Sequence, residues 1–236
     1  MLGKCDLMFY IDPYYIMLVL PALFVAMWAQ GRVSSTFSRY QQVRSYSGMT
    51  GEQVARQILD DNGLFNVRVE RIAGSLTDHY DPRAQVVRLS EGVYGSESIA
   101  AIGVAAHETG HAVQHATHYA PLSIRTAIIP ITNFGSRLSF PLLLIGLVMG
   151  SQNLVDFGIL LFSLVTVFQL VTLPVEFNAS SRALRTLESH NILMGDELAG
   201  AKKVLSAAAL TYVAALIVSA AQLLRLVLLF GNRRRD

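Results

Sequence analysis

Residues 98–116 read SIAAIGVAAHETGHAVQHA, a stretch that lacks proline, is rich in alanine and begins with serine. Such a composition, with a serine able to cap its start, predicts a helix. His107 and His111 are four residues apart, so their imidazoles face the same side of that helix. Glu108 lies about 100° round the helix from His107, close enough to reach a water beside an ion. This H-E-x-x-H spacing predicts two zinc ligands and a general base. The alternative is a buried helix whose histidines are only hydrogen-bonded.

A catalytic zinc site needs a third protein ligand and an open position for water. His115 and His118 are the nearest candidates in sequence. On a straight helix, however, His115 lies about 12 Å from His107, too far for both to bind one ion. Glu176 is the better candidate, because it follows two apolar segments long enough to cross a membrane and come back. The chain therefore returns at Glu176 to the side of the membrane that carries the His-Glu helix. Its alternative role is that of a carboxylate at the membrane edge.

The overall composition indicates a membrane protein. Of the 236 residues, 52% are hydrophobic and 15% are charged, and the mean hydropathy is +0.41. These values are too apolar for an ordinary soluble domain. Apolar runs at 14–30, 138–150, 154–175 and 204–224 predict membrane spans. The second run has only 13 residues, too few to cross a bilayer, so we expect that span to begin earlier, near residue 128. Residues 151–153 predict a tight turn between antiparallel helices. For the first run a cleaved signal peptide is the alternative, but no clear A-x-A site follows it.

A polar insert separates the first span from the His-Glu helix. Thr50 and Gln53 form a capping-box pattern that predicts a helix through Asp61. Residues 67–69 and 86–89 alternate apolar with polar positions, which predicts two short strands forming a hairpin. That ribbon could bind substrate by strand addition or could simply pack beside the helix.

The predicted fold class is mainly α, a polytopic membrane protein with about four transmembrane helices. It includes a zincin-like active-site helix and a small β-hairpin in a juxtamembrane domain. We expect an N-terminal anchor at 1–30, a juxtamembrane catalytic insert at 31–125, a transmembrane hairpin at 126–175, a third-ligand segment at 176–203, and a final span with a basic tail at 204–236.

The distribution of positive charge predicts which side carries the site. Nine Lys or Arg residues flank the spans on the side of the His-Glu helix, whereas the hairpin turn has none. They are Arg32, Arg39, Arg44, Arg125, Arg137, Arg182, Arg185, Lys202 and Lys203. The positive-inside rule therefore predicts a cytoplasmic site, although four spans would place the basic residues 233–235 on the other side. No basic-aromatic pattern suited to nucleic acid is present in the sequence.

Three segments carry a resemblance to a known family. The run HETGHAVQH from His107, the Asp81-Pro82-Arg83 segment, and PVEFNAS at 174–180 resemble the YugP-type neutral zinc metallopeptidases of bacterial membranes. A looser resemblance is to the HtpX and CAAX prenyl protease group, whose later Glu-aromatic-x-Ala-Asp motif has Ser180 here in place of Asp. The resemblance implies that His107, His111 and Glu176 bind one zinc ion, with Glu108 as the base.

These observations predict a membrane zinc endopeptidase acting on proteins or peptides, membrane proteins included. Glu108 would take the proton of the attacking water and deliver it to the leaving amine. His190 and Arg182 are candidates for oxyanion or substrate contacts. Two alternatives stay open: a non-catalytic zinc-binding membrane scaffold, and an intramembrane site-2-like protease. The second needs its motif inside a span, whereas few apolar residues precede His107.

Overall fold

The computed structural model describes residues 12–231. Within that range four helices are long and apolar enough to cross a membrane. They are α1 (Leu20–Gln41, preceded by a π-helical turn at Tyr15–Val19), α5 (Ala120–Met149), α6 (Gln152–Ser189) and α7 (Gly195–Phe230). The predicted mainly α membrane fold is thus confirmed, and each helix extends beyond the apolar run that predicted it. Residues 233–235, the basic tail, lie outside the described residues.

Shorter elements lie between α1 and α5: helices α2 (Gly51–Asp61), α3 (Glu91–Tyr94) and α4 (Ile99–Ala116), with strands β1 (Arg68–Ile72), β2 (His79–Asp81) and β3 (Val86–Ser90). Helix α2 begins with the predicted capping box, in which the Thr50 hydroxyl accepts from the Gln53 backbone and the Gln53 side chain accepts from the Thr50 backbone. Helix α4 is capped by Ser98, whose hydroxyl accepts from the Ala101 N–H at 3.2 Å. Local capping chemistry therefore sets both helix starts.

The sheet corrects one prediction. Strand β1 pairs with β3 in parallel, and the hairpin partner of β3 is β2, in antiparallel register. The strand order is β1-β3-β2, so residues 67–69 do not form a hairpin with residues 86–89. Strand β3 is the central, mostly buried strand, and each of its edges pairs with a different neighbour. The prediction failed because the three-residue β2 is too short to show periodicity.

One compact unit comprises Ala29–Ala127 and Val171–Tyr212. Helix α4 lies at its centre, with Ile102, Ala105 and Ala106 fully buried. These residues pack against α2, β3 and the second half of α6. A methyl group added at Gly110 would lie 2.9 Å from the carbonyl oxygen of Ala179. The glycine inside the H-E-x-x-H motif therefore allows α4 and α6 to approach closely.

The second unit comprises Met1–Trp28, Ile128–Leu170 and Val213–Asp236. Within its described residues, Leu143, Val155 and Leu226 form an apolar cluster. Arg225, which directly follows the apolar run 204–224 within α7, donates from Nε to the Asp12 carboxylate at 2.9 Å. An isolated charge in lipid is unfavourable, so this pairing explains how α7 tolerates an arginine.

Candidate metal centre

Two helices bring three candidate ligands together. His107 and His111 lie on one face of α4, and Glu176 lies on α6, 65 residues after His111 in sequence. One potential ligand atom from each of the three side chains lies within 4.8 Å of the other two. The Nε2 atoms of His107 and His111 lie 3.3 Å and 3.6 Å from Glu176 Oε2. Ligands about 2 Å from a tetrahedral zinc lie roughly 3.3 Å from one another, so these two distances suit ligands of one such ion.

The hydrogen bonding of Glu176 supports the fit. Its Oε2 is buried and accepts no hydrogen bond from the described residues. Its other oxygen, Oε1, accepts from Arg125 Nη1 at 3.1 Å. A buried carboxylate oxygen without a partner is costly unless a cation satisfies it. One oxygen is therefore held by arginine while the other is free to bind a metal between the two imidazoles.

A buried glutamine orients His111. Gln114 donates from Nε2 to the Val175 carbonyl and to Asn178 Oδ1, both at 2.9 Å. Because its amide nitrogen is used in this way, the Gln114 Oε1 is the acceptor facing His111 Nδ1 at 3.0 Å. Nδ1 therefore carries the proton in neutral His111, and Nε2 presents a lone pair toward Glu176.

A hydroxyl contacts the other imidazole. Ser180 Oγ lies 3.1 Å from His107 Nδ1, and the contact links α6 to α4. Ser180 thus places a neutral hydroxyl behind the histidine. The Nε2 atom of His107 is again the one on the side of Glu176. Both histidines are thus held with the same nitrogen facing the carboxylate.

Two carboxylates, those of Glu108 and Glu176, act electrostatically on the His111 imidazole. Burial lowers the pKa of the His111 imidazole, but the neighbouring Glu176 and Glu108 carboxylates outweigh it, so the pKa is raised above its ordinary value. Carboxylates that stabilise an extra proton on His111 would also stabilise a bound cation. The charge and the donor set therefore both suit a divalent ion.

A cavity of about 240 Å³ opens beside the ligands. Glu108 lines it together with His107, Glu176 and Ser180. Its apolar wall includes Phe37 of α1, and Tyr212 of α7 also faces it. Tyr212 was missed by sequence reasoning, because a tyrosine in an apolar run carries no motif and reaches the cavity only through the packing of α7.

Other predicted site residues lie elsewhere. His190 Nδ1 is 3.1 Å from Asp61 Oδ2, at the ends of α6 and α2. Arg182 donates from Nε to Asn178 Oδ1 at 2.9 Å. Neither residue lines the described cavity, and their substrate contacts stay a prediction. His115 Nδ1 lies 2.9 Å from the Tyr80 hydroxyl, a contact between β2 and α4.

Comparison with known proteins gives a family. Residues 15–231 match the family described as "Putative neutral zinc metallopeptidase". The chain is 53% identical, over 222 residues, to the "Putative membrane protease YugP" of Bacillus subtilis (strain 168). That match covers 94% of this chain and 99% of the relative. No solved structure matches the chain. Because the family model matches residues 15–231, nearly all of the chain, the chain belongs to the neutral zinc metallopeptidase family.

Proposed function

We propose that the protein is a membrane-embedded zinc endopeptidase whose ion is held by His107, His111 and Glu176. The observation that carries the proposal is Glu176 Oε2, buried without a hydrogen bond and within 3.6 Å of both imidazole Nε2 atoms. Glu108 lines the cavity beside these atoms, where a base is needed. A zinc ion held there would supply Lewis-acid chemistry, which polarises a scissile carbonyl and lowers the pKa of an attacking water.

The side chains then divide the remaining work. Glu108 accepts the proton of the attacking water and returns it to the nitrogen of the departing amine. Tyr212 has a phenolic O–H in the same cavity and can donate to the oxyanion that develops on the carbonyl. Arg125 holds Glu176 through Oε1 and so keeps the carboxylate from rotating. Gln114 and Ser180 fix the two imidazoles.

The apolar part of the cavity lining would accommodate an apolar side chain of the substrate. Beside the polar ligands, the lining includes Val33, Phe37, Val104 and Leu205. Ala208 and Ala209 leave room on the side of α7. Apolar surface of this kind favours burial of an aliphatic or aromatic residue next to the cleaved bond.

The two alternatives are less well supported. A site-2-like protease needs the motif inside a span, but α4 is covered by α2, the sheet and α6 and is not among the four apolar helices of the described chain. A zinc-binding scaffold would have no need of Glu108, which lines the cavity but is not one of the three candidate metal ligands. Peptide cleavage distinguishes the scaffold from the enzyme.

Metal removal is the direct test of the proposed function. Dialysis of the detergent-solubilised protein against a chelator is expected to reduce casein cleavage to background, because Glu108 alone cannot activate water. Adding one equivalent of zinc should restore cleavage. Activity that persists when metal analysis finds less than about a tenth of an equivalent of zinc would contradict the proposal.

We also infer that the site faces the cytoplasm, from the nine flanking cations against an uncharged hairpin turn. That turn contains Ser151, between α5 and α6. After replacement of Cys5, Ser151→Cys should react with an impermeant thiol reagent added to intact cells. The matched variant Ser75→Cys, in the exposed loop between β1 and β2, should react only after the membrane is broken. Reversed labelling would place the site outside.

A further inference from the structure

A second cavity, of about 690 Å³, is lined by parts of α1 and α7. We call it the basic crevice. Its cationic lining residues are Arg32, Arg39, Lys202 and Lys203. No aspartate or glutamate of the described chain lines it. The basic crevice is separate from the catalytic cavity, with which it shares no lining residue.

The four cations lack acidic partners. None of them forms an ion pair with a carboxylate of residues 12–231, although other arginines of the same unit do. Arg39 instead lies over the Tyr40 ring, 5.7 Å from its centroid. Four like charges round one cavity repel one another, and the repulsion is strongest where nearby apolar surface reduces screening. An anion bound in the crevice would offset this repulsion between the cations.

Sequence position places the crevice at the membrane surface. Arg32 is the first charge after the apolar run 14–30, and Lys203 directly precedes the run 204–224. Trp28, an exposed residue of α1, lies four residues before Arg32, about 6 Å along the helix. Tryptophan is enriched at the level of lipid headgroups. The crevice therefore lies where lipid phosphates are found.

We propose that the basic crevice binds the phosphate headgroup of an anionic phospholipid. Arginine matches phosphate oxygens with paired N–H donors, and lysine adds a point charge. The hydroxyls of Thr36 and Ser206 also line the crevice and can donate to the same oxygens. Leu210 gives it an apolar side. Basic pockets between membrane helices bind anionic headgroups in this way. A lipid is favoured over soluble phosphate because Arg32 and Lys203 adjoin two apolar runs.

The experiment uses Trp28, which is the only tryptophan of the chain. The protein is reconstituted in phosphatidylcholine vesicles containing a fixed fraction of phosphatidylglycerol, and one lipid at a time carries brominated acyl chains that quench tryptophan. Brominated phosphatidylglycerol is expected to quench more than brominated phosphatidylcholine at equal mole fraction. Arg39→Gln with Lys203→Gln should weaken the preference by roughly 25-fold, about fivefold for each charge.

Two further variants and one competitor decide the interpretation. The charge-conserving pair Arg39→Lys with Lys203→Arg should retain the preference. Arg83→Gln with Arg185→Gln removes the same charge from exposed positions outside the crevice and should also retain it. If this last pair loses the preference for phosphatidylglycerol to the same extent, the preference depends only on the overall charge of the protein, and the proposal is wrong. Loss of the preference in millimolar inorganic phosphate would overturn it as well, by assigning the crevice to a soluble anion. No peptidase activity is measured, so the result does not depend on the proposed function.

Discussion

Glu108→Gln is expected to retain about one zinc per chain and to lose peptidase activity. Glu108 is not among the three side chains that could hold the ion, so its removal leaves the donor set unchanged. The amide that replaces it cannot accept a proton from water at neutral pH. General bases contribute roughly 10²–10⁴-fold to such reactions, so kcat/KM for casein or a model peptide should fall by that factor. Metal analysis and a cleavage assay on the same preparation measure both effects.

The matched control is Glu188→Gln, an exposed glutamate of α6 that lies outside the cavity lining. It should cleave at the wild-type rate. If Glu108→Gln cleaves as fast as this control, the base is another group. If it loses zinc as well as activity, Glu108 contributes to metal binding, and its assignment as a base alone is wrong.

Glu176→Gln is expected to weaken zinc binding by more than roughly 100-fold. Mutations of residues that only orient the ligands weaken metal binding by up to roughly that factor, and the loss of a ligand's charge should cost more. The substitution keeps an oxygen that can accept from Arg125 but removes the negative charge next to both imidazoles. Glu176→Ala should weaken binding further, because it removes the side-chain oxygens altogether and leaves the half-buried Arg125 without an acceptor at this position. Equilibrium titration of the apoprotein with zinc in a competing chelator gives the affinities.

Loss of the fold must be distinguished from loss of the ligand. Thermal unfolding of the metal-free proteins makes that distinction, and Glu188→Ala provides the control on the same helix. We expect metal-free Glu176→Gln to unfold close to the wild-type temperature, since the arginine contact has an acceptor in both. Unchanged zinc affinity in this variant would move the third ligand elsewhere in the chain.

Much of the fold was predictable because its signals are local. Capping residues and helix propensity lie within a few positions of each other, so the starts of α2 and α4 could be predicted from the sequence. Apolar runs long enough to span a bilayer predicted the four long helices. The sheet was predicted less well, since its register depends on the short β2 and on the burial of β3.

The sequence by itself determined that His107 and His111 share a helix face, because a spacing of four residues allows nothing else on a helix. It also predicted Glu176 as the third ligand, through the return of an apolar hairpin and the resemblance to a family. Only the tertiary structure decided which oxygen of Glu176 is free, since Arg125 is 51 residues away and carries no motif.

The same holds for the groups that orient the histidines. Gln114 reaches Val175 and Asn178 only because Gly110 lets α4 lie against Ala179 of α6. Ser180 contacts His107 across the same helix pair, and Tyr212 reaches the cavity from α7. These contacts join residues tens of positions apart. They follow from side-chain packing between helices, which no short-range pattern in one sequence encodes.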